Sequence, residues 1–413
     1  MNRVGRVLAA ALAVPLIMAG CAKGAGPTAQ WRQDPAAPAK PAVPLTLAIT
    51  PKANAKGLPI SAEVGVEVPD GVTTTVVLKD SKNNAVPTSL RDDKTSWVPD
   101  RPLKFDTTYT ATVIATRDGE SVSQTTTFTT MGRPGGNRVG TGLYLFDNLT
   151  YGVAMPVVVE FESDIPEKGR AGIERRMFVS TDPPQPGAWH WFGSRQALYR
   201  APTYWKAGTR LTARIALDGH PIGNGRYGDM DRRATATIGR KFVMEVDNKT
   251  KTMSVFQDDK LLRKMPVSLG KPSTPSSSGT MVIMDRQEQT VFDTTRDPNP
   301  ANRYRVDIAF AQRLTWGGQF IHAAPWSVGD QGVRNVSHGC VNLSTPNARW
   351  LFELTKIGDP VTVRGTEAGL EPGDGWTAWD LSWEEFLKGS ALPHPEFSHS
   401  QSNQAGAQPE PTD

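Results

Sequence analysis

One cysteine lies close to two histidines in the last third of the chain. The run His322-Ala-Ala-Pro-Trp326 is followed by the run Ser337-His338-Gly339-Cys340-Val341-Asn342. A thiol is a weak nucleophile at neutral pH until a base or a cation favours its thiolate. Glycine lets the backbone approach a substrate closely, and the amides of Gly339 and Cys340 are placed to donate to a developing oxyanion. The pattern indicates nucleophilic catalysis by Cys340, with a histidine as its base.

Other interpretations of these residues fit the pattern less well. A lone cysteine is most often inert packing, and His322 taken alone would be a satisfied core histidine. The polar, glycine-containing run around Cys340 does not suit a core strand. A zinc site of His322, His338 and Cys340 would lack a visible fourth ligand. A papain-like order is excluded because the histidines downstream, His394 and His399, fall in a polar tail.

The two runs resemble the signature of the L,D-transpeptidase catalytic family of the YkuD type, whose members remodel bacterial peptidoglycan. The resemblance covers about residues 241–388. It implies an acyltransferase that forms 3-3 cross-links between stem peptides through a cysteine thioester, with release of D-alanine. The implied partners are a tetrapeptide donor and a diaminopimelate-type amine acceptor, with carbapenems as acylating inhibitors. No cofactor, metal or nucleic acid is implied.

The resemblance also implies a role for each matching residue. Cys340 would attack the carbonyl of the third stem residue, and His322 would be the general base, held by the carbonyl of Ala323. His338 would tune the thiolate, and Gly339 belongs to the catalytic set. Six residues would bind substrate: Tyr304, Gly317, Gly318, Trp326, Ser337 and Asn342. A flap over the site, roughly residues 286–303, departs most from the family pattern.

Three alternative functions remain open from the sequence. The fold could serve a non-catalytic wall-binding scaffold that uses the groove only for docking. One thioester could also be hydrolysed, giving an L,D-carboxypeptidase, or could attach another protein to the wall. The intact His322, Gly339 and Cys340 favour catalysis over the scaffold.

The N-terminus reads as an export signal. Arg3 and Arg6 precede an apolar stretch over residues 7–18, and Ala-Gly-Cys21 follows. A cationic start, a short apolar middle and small residues are typical of a secretory signal, and Cys21 resembles a lipidated lipobox cysteine. An ordinary signal peptide with an incidental cysteine is the alternative. The sequence therefore predicts a lipoprotein on the outer face of the plasma membrane, facing the cell wall.

The whole chain divides by composition and sequence pattern into seven segments. Residues 1–21 are the signal and lipobox, and residues 22–43 are an Ala/Pro/Gln-rich tether. Short alternating runs predict a mostly β protein, with two Ig-like β-sandwich domains over 44–130 and 131–240. A β-rich catalytic domain with one main helix follows over 241–365. A Trp-rich extension packed on it (366–390) and a disordered tail (391–413) complete the chain.

Several local features are expected within this plan. Predicted strands include residues 157–161, 265–269 and 360–364, and a helix is predicted from Ser344 or Thr345 to Gly358. Aromatic residues of the second domain could form a ligand platform, but a core and inter-domain packing role is favoured. They are Trp189, Trp191, Tyr199, Tyr204 and Trp205.

Charge and cysteine content exclude two classes of protein. The 413 residues carry 46 Lys and Arg against 42 Asp and Glu, with no long basic run, so the chain lacks a nucleic-acid footprint. Two cysteines, Cys21 and Cys340, exclude a disulfide scaffold.

Overall fold

The computed structural model describes residues 45–393, apart from 92–93, 297 and 301–302. The predicted signal, Cys21, the tether and residues 394–413 lie outside these described residues. Strands predominate, as the sequence predicts. Within the described residues, no helix has the length and apolar character needed to span a membrane.

The first block is a sandwich of two sheets. Their strand orders are β1-β3-β7-β6 and β2-β9-β8-β4-β5. Alternation along β8 buries Tyr109, Ala111 and Val113, while the outward threonines pair across to β9, as Thr112 does with Thr125 at 2.9 Å. The nine strands are β1 (Ala48–Thr50), β2 (Ala55–Leu58), β3 (Val64–Glu67), β4 (Thr73–Asp80), β5 (Ala85–Val86), β6 (Thr88–Leu90), β7 (Ser96–Pro99), β8 (Thr108–Arg117) and β9 (Glu120–Thr130).

The second block has two four-stranded sheets and one three-stranded sheet. Their orders are β11-β13-β16-β15, β12-β20-β17-β14 and β10-β19-β18. A helix, α1 (Glu167–Glu174), was not predicted. The strands are β10 (Arg138–Val139), β11 (Thr141–Leu143), β12 (Thr150–Tyr151), β13 (Val157–Phe161), β14 (Met177–Asp182), β15 (Ala188–Phe192), β16 (Gln196–Arg200), β17 (Arg210–Ala216), β18 (Pro221–Gly223), β19 (Arg226–Gly228) and β20 (Asp231–Ile238).

Aromatic side chains fill the core of the second block. Trp189, Trp191, Tyr199 and Trp205 are all buried there, which confirms the packing interpretation over a ligand platform. Buried Trp and Tyr side chains need partners for their polar atoms, and the Trp205 indole N–H donates to the Met155 carbonyl at 2.6 Å.

The third block carries the candidate site on two sheets. Their orders are β23-β22-β21-β29-β24-β30 and β25-β26-β27-β28. The strands are β21 (Phe242–Asp247), β22 (Thr252–Gln257), β23 (Lys260–Pro266), β24 (Ser277–Val282), β25 (Asp285–Asp293), β26 (Arg305–Arg313), β27 (Phe320–Ala323), β28 (Val341–Leu343), β29 (Pro360–Arg364) and β30 (Ala368–Gly369). The helices are α2 (Thr345–Leu354) and α3 (Trp383–Leu387), with 3-10 turns at Pro325–Ser327 and Ala378–Asp380.

Helix α2 packs behind the site and ends earlier than predicted. Ser344 is its N-cap and Pro346 lies in its first turn, as expected. The helix stops at Leu354 instead of running to Gly358, because Thr355 is extended and its hydroxyl donates to Gln312 Oε1 at 2.6 Å. Gly358 lies in the turn beyond, at φ 89° and packed on Met155.

The strand predicted at 265–269 is displaced. The observed strand β23 ends at Pro266, because the turn at Asp258 and Asp259 brings Lys260–Pro266 back against β22. Residues 267–269 instead run beside the site, where Ser268 forms an isolated bridge with Asn342.

The Trp-rich extension joins two blocks. It contacts the catalytic domain, where Leu370 joins the core and β30 pairs with β24. It also contacts the second block, since Trp376 and Phe386 lie in a cluster made mostly of second-block residues and Trp379 donates to the Ala154 carbonyl at 2.6 Å. Its contact with the third block includes Asp380, which accepts from the Thr280 amide at 2.8 Å. The large aromatic side chains of the extension thus bury their apolar surface against the second block.

Candidate active site

Two parallel strands bring the cysteine and the histidine together. Strand β27 pairs with β28 in the register Ile321 with Val341 and His322 with Asn342. His322 and Asn342 are therefore neighbours across the two strands, and Cys340 lies in the bend just before β28, so that His322 and Cys340 line the same cleft. The sequence predicts Cys340 at a turn between a loop and the helix; in the structure the short strand β28 lies between Cys340 and α2 and fixes this register.

His322 is a buried, neutral imidazole. It is 3% exposed, and its Nδ1 lies 2.9 Å from the Ala323 carbonyl, the contact expected from sequence. Burial lowers the pKa of His322 to about 4, although the Ala323 carbonyl acts in the opposite direction. An Nδ1–H donated to a carbonyl leaves Nε2 with a free lone pair, which is the state that a general base requires.

The Cys340 thiol is buried and protonated at rest. The residue is 7% exposed, is not in a disulfide, and its sulfur lies 3.8 Å from the Gly318 carbonyl. Burial raises the pKa of Cys340 to about 11, while the Phe320 amide and the Arg313 charge oppose that rise. Cys340 and His322 are therefore a neutral thiol and a neutral imidazole, and the proton has to move during attack.

The loop before the thiol is held by its own serine. Ser337 Oγ donates to the Cys340 carbonyl at 2.7 Å and accepts from the Gly339 amide at 3.1 Å. Gly339 has φ 120°, a conformation that favours glycine. The Gly339 amide was expected to face an oxyanion, but in the structure it donates to Ser337 Oγ instead.

A second loop, residues 270–276, is hydrogen-bonded to the loop that carries Cys340. The Lys271 amide donates to the Ser337 carbonyl at 2.9 Å, and Thr274 Oγ1 donates to the same carbonyl at 3.3 Å. Ser276 Oγ donates to the Gly339 carbonyl at 2.7 Å and accepts from the Gly270 amide at 2.9 Å. Sequence reasoning missed these residues, since Gly-Lys-Pro-Ser-Thr-Pro predicts only a turn.

His338 lies on the exposed side of the same loop. Its Nε2 is 3.0 Å from Lys271 Nζ, and its ring centroid is 5.2 Å from that of the half-buried Tyr304. Partial burial and then the Lys271 charge lower the pKa of His338. Burial, with the Cys340 charge adding to it, raises the pKa of Tyr304.

Two adjoining clefts lie beside the loop that carries Cys340. The first, a cavity of about 460 Å³, is lined by His322, Cys340 and Asp330 among others. The second, of about 450 Å³, is lined by Arg313 and Asp293 among others. Phe292, Tyr304 and His338 line both.

The six predicted substrate-binding residues divide between these clefts. Trp326, Ser337 and Asn342 line the first, Gly317 and Gly318 line the second, and Tyr304 stands between them. Trp326 is 57% exposed, with its ring centroid 6.1 Å from that of His322.

Asn342 offers one unused hydrogen-bonding atom in the first cleft. The residue is 2% exposed, its Nδ2 donates to Ser327 Oγ at 3.1 Å, and its Oδ1 is buried without a hydrogen-bond partner. A buried orphan acceptor is costly unless something satisfies it, so Oδ1 suits an N–H of a bound peptide.

The flap is anchored by one aromatic residue. Phe292, near the end of β25, has its ring 4.6 Å from Phe320 and 5.3 Å from His322. Asp293 beyond it pairs with Arg305 at 2.6 Å. Phe292 therefore shields the imidazole from water, a role that the sequence did not reveal.

In the part of the chain that the structure describes, no group of three or more His, Cys, Asp or Glu side chains is arranged to hold an ion.

A buried thiol beside an oriented imidazole, on a β-rich domain that follows Ig-like sandwiches, defines a cysteine acyltransferase of modular architecture. Residues 241–363 match the family described as the L,D-transpeptidase catalytic domain, and residues 55–221 match the bacterial Ig domain. The chain belongs to the L,D-transpeptidase family.

Curated relatives cover almost the whole chain. L,D-transpeptidase 2 of Mycobacterium tuberculosis (strain CDC 1551 / Oshkosh) is 32% identical over 409 residues, spanning 94% of this chain and 97% of the relative. L,D-transpeptidase 5 of Mycobacterium tuberculosis (strain ATCC 25618 / H37Rv) is 33% identical over 393 residues, spanning 92% and 83%.

Solved structures also match. The L,D-transpeptidase LdtMt1 in complex with imipenem is 31% identical, with a TM-score of 0.47, covering 55% of this chain and 99% of that one. An L,D-transpeptidase from Mycobacterium smegmatis is 29% identical, with a TM-score of 0.44 and coverages of 55% and 99%.

Proposed function

We propose that this enzyme joins two peptidoglycan stem peptides by a 3-3 cross-link, through a thioester on Cys340. The observation that carries the proposal is that the buried Cys340 and His322 line one cleft, and that a second cleft adjoins it through Phe292, Tyr304 and His338. A transfer between two peptides requires a donor and an acceptor at one carbonyl carbon, and two clefts beside one thiol suit that requirement.

The first half-reaction makes the thioester. Cys340 Sγ adds to the carbonyl carbon of the third residue of the donor tetrapeptide, and His322 Nε2 takes the thiol proton. The tetrahedral intermediate then expels the terminal D-alanine amine, which receives that proton from His322. The C–S bond has replaced the C–N bond, and His322 is neutral again.

The second half-reaction consumes the thioester. The side-chain amine of the acceptor's diaminopimelate-type residue attacks the carbonyl carbon and loses a proton to His322. The C–S bond breaks, and His322 returns the proton to sulfur. A new amide joins the third residues of two stems, and the Cys340 thiol is restored.

Several residues would hold the peptides in place. Trp326 would provide an apolar wall beside His322, and Asn342 Oδ1 would accept a peptide N–H. Tyr304, between the clefts, would contact both stems. Gly318 leaves space for a backbone in the second cleft, which Gly317 also lines, and Ser337 would act by shaping the loop.

The test is product analysis with purified disaccharide-tetrapeptide. The parent enzyme should form cross-linked dimer and release D-alanine, whereas Cys340→Ala should form none and still fold. Equal dimer formation by both proteins would refute the proposal. Tripeptide without dimer would instead assign the alternative carboxypeptidase activity.

We also propose that carbapenems acylate Cys340, because their strained carbonyl can take the place of the donor carbonyl. A relative with a similar sequence has been solved in complex with imipenem. Intact-mass spectrometry should show one covalent adduct on the parent and none on Cys340→Ala. An adduct that survives loss of the cysteine would contradict this site.

We propose, finally, that Cys21 is lipidated and tethers the enzyme to the outer face of the plasma membrane. The charged start, the short apolar run and Ala-Gly-Cys21 support this proposal. The two sandwiches would then raise the site toward the wall. Cys21→Ser should release the protein from the membrane fraction, with Cys340→Ser as the matched control. Unchanged membrane association of Cys21→Ser would contradict the anchor.

A further inference from the structure

The hydrogen bond between Lys271 and His338 restricts the chemistry of the second histidine. Lys271 Nζ and His338 Nε2 are 3.0 Å apart. An ammonium group can only donate, so Nε2 must present a lone pair to it. In this arrangement the imidazole is neutral and carries its proton on Nδ1.

The main chain fixes Lys271 in this position. Its amide donates to the Ser337 carbonyl and its carbonyl accepts from the Thr274 amide, both at 2.9 Å. Gly270 forms an isolated bridge with Ser337. The Lys271 side chain therefore starts from backbone that is bonded to the loop carrying His338, and it is half-buried.

Other charged groups face His338 from the surrounding elements. Tyr304 packs on the ring, and Arg303, Asp330, His322 and Cys340 line the first cleft with it. Asp293 and Arg313 line the second cleft. Asp330 pairs with Arg334, and Asp293 pairs with Arg305, so both carboxylates have cationic partners of their own.

We propose that Lys271 is a positioning residue that holds His338 as the neutral, Nδ1-protonated imidazole. This proposal rests on the proposed role of Cys340 as nucleophile. With two imidazoles near one thiol, either could in principle take its proton. Because Lys271 Nζ donates to the basic nitrogen of His338, His322 is the residue that takes the thiol proton.

Loss of Lys271 should change the protonation of His338 and, through it, the thiol. Without the Lys271 charge the pKa of His338 would rise toward the ordinary value of about 6.5, while burial of the ring would still lower it. The resulting cation, two residues from Cys340, would lower the pKa of the thiol by about one unit. The lysine thus prevents an imidazolium from forming beside a thiol that the fold keeps protonated.

The direct experiment is nitrogen NMR of the histidine rings in the full protein, with His338→Gln identifying the His338 signals. The parent should show the Nδ1–H tautomer and a titration midpoint below 6.5. Lys271→Met should raise the midpoint toward about 6.5, although burial of the ring keeps it below that value. Lys271→Arg should restore the parent tautomer, because a guanidinium also donates, and Lys264→Met on strand β23 should change nothing.

A kinetic readout separates this role from a merely structural one. Alkylation of Cys340 by iodoacetamide at pH 5.5 should be up to about tenfold faster in Lys271→Met than in the parent. An Nε2–H tautomer in the parent, or an unchanged His338 midpoint in Lys271→Met, would overturn the proposal. Neither readout requires a stem peptide, so this failure would be distinct from failure of the proposed cross-linking.

Discussion

At the scale of single residues, burial sets the resting state of the nucleophile. Cys340 and His322 are each below one-tenth exposed, and desolvation disfavours the charged form of both. A thiolate–imidazolium pair is therefore not the starting state. A pKa of about 11 leaves only about one thiol in ten thousand ionised at pH 7. Attack and proton transfer to His322 must occur together.

Alkylation of Cys340 should follow the raised pKa of its thiol. The rate with iodoacetamide should rise about tenfold per pH unit from 7 to 10 and level off near 11. Peptide mapping would report Cys340 separately from Cys21. The guanidinium-unfolded chain is the control, with a midpoint near the ordinary value of about 8.5. A folded midpoint near that ordinary value would contradict the buried thiol.

The free energy of unfolding should fall as the pH is lowered, because His322 is buried as a neutral imidazole. Its pKa is lowered to about 4 in the folded chain and is about 6.5 in the unfolded chain, which therefore binds more protons between these values. The contribution of His322 is present above about pH 6.5 and is lost as pH falls toward 4. His220, also lowered to about 4, acts in the same direction, whereas Asp359, raised to about 7, acts in the opposite one.

Comparison of the parent with His322→Gln isolates this contribution. From pH 7 to pH 5 the parent should lose about 2 kcal/mol more unfolding free energy than the variant. Urea unfolding at the two pH values measures the difference, and His399→Gln is the control. Equal losses in the parent and His322→Gln would show that His322 is not buried as a neutral base.

At the scale of elements, the C-terminal extension is held by a buried arginine. Arg200, at the end of β16, is 2% exposed and donates to the carbonyls of Ala378 and Leu381 at 2.9 and 2.8 Å. Its guanidinium also lies over the rings of Trp379 and Phe386, at 4.7 and 4.4 Å. Carbonyls and aromatic faces together replace the water that the charge has lost.

Arg200→Leu should loosen this extension. The substitution leaves buried carbonyls without a donor, which costs about 2–4 kcal/mol of unfolding free energy. Chemical unfolding followed by tryptophan fluorescence measures the loss and reports Trp379 and Trp383. The exposed Arg195→Leu is the matched control and should cost less than 1 kcal/mol. Similar stabilities of the two variants would show that Arg200 does not hold the extension in place.

At the scale of the whole molecule, buried polar contacts connect the three blocks. Glu63 of the first block pairs with Arg176 of the second at 2.8 Å and also with Arg91. Burial alone would raise the pKa of Glu63, but Arg91 and Arg176 lower it overall. The second block meets the third through the Gly152 amide, which donates to the Ile357 carbonyl at 2.8 Å. Polar contacts thus link the first block to the second and the second to the catalytic domain.

Glu63→Leu should weaken the contact between the first and second blocks. It leaves two arginines largely buried without their anion, and breaking a buried pair in this way costs about 3 kcal/mol or more. Calorimetry should show the first block unfolding earlier, while the exposed Glu67→Leu at the end of β3 leaves the transition unchanged. One unaltered transition for Glu63→Leu would show that this contact does not couple the blocks.

The sequence indicates the candidate catalytic residues more readily than the loop and helix around them. Strands such as Val157–Phe161 and Pro360–Arg364 are found at their predicted bounds, because continuous β-branched runs identify buried strands. The motif brings His322 and Cys340 together because parallel pairing of β27 and β28 sets their register. The hydrogen bonds of Ser276 and Lys271 were not predictable, since a turn sequence does not specify its distant partners. Helix α1 is too short for its periodicity to be visible among strands.

The most direct test of the central claim is the mass of the enzyme after incubation with donor tetrapeptide alone. Cys340 should gain the donor less its terminal D-alanine as a thioester, which an acceptor amine then discharges to cross-linked product. Cys340→Ala should stay at its original mass, and His322→Gln should acylate more slowly by about a hundredfold or more. An unmodified parent that nevertheless makes cross-links, or an adduct on Cys340→Ala, would contradict a thioester mechanism at this cysteine.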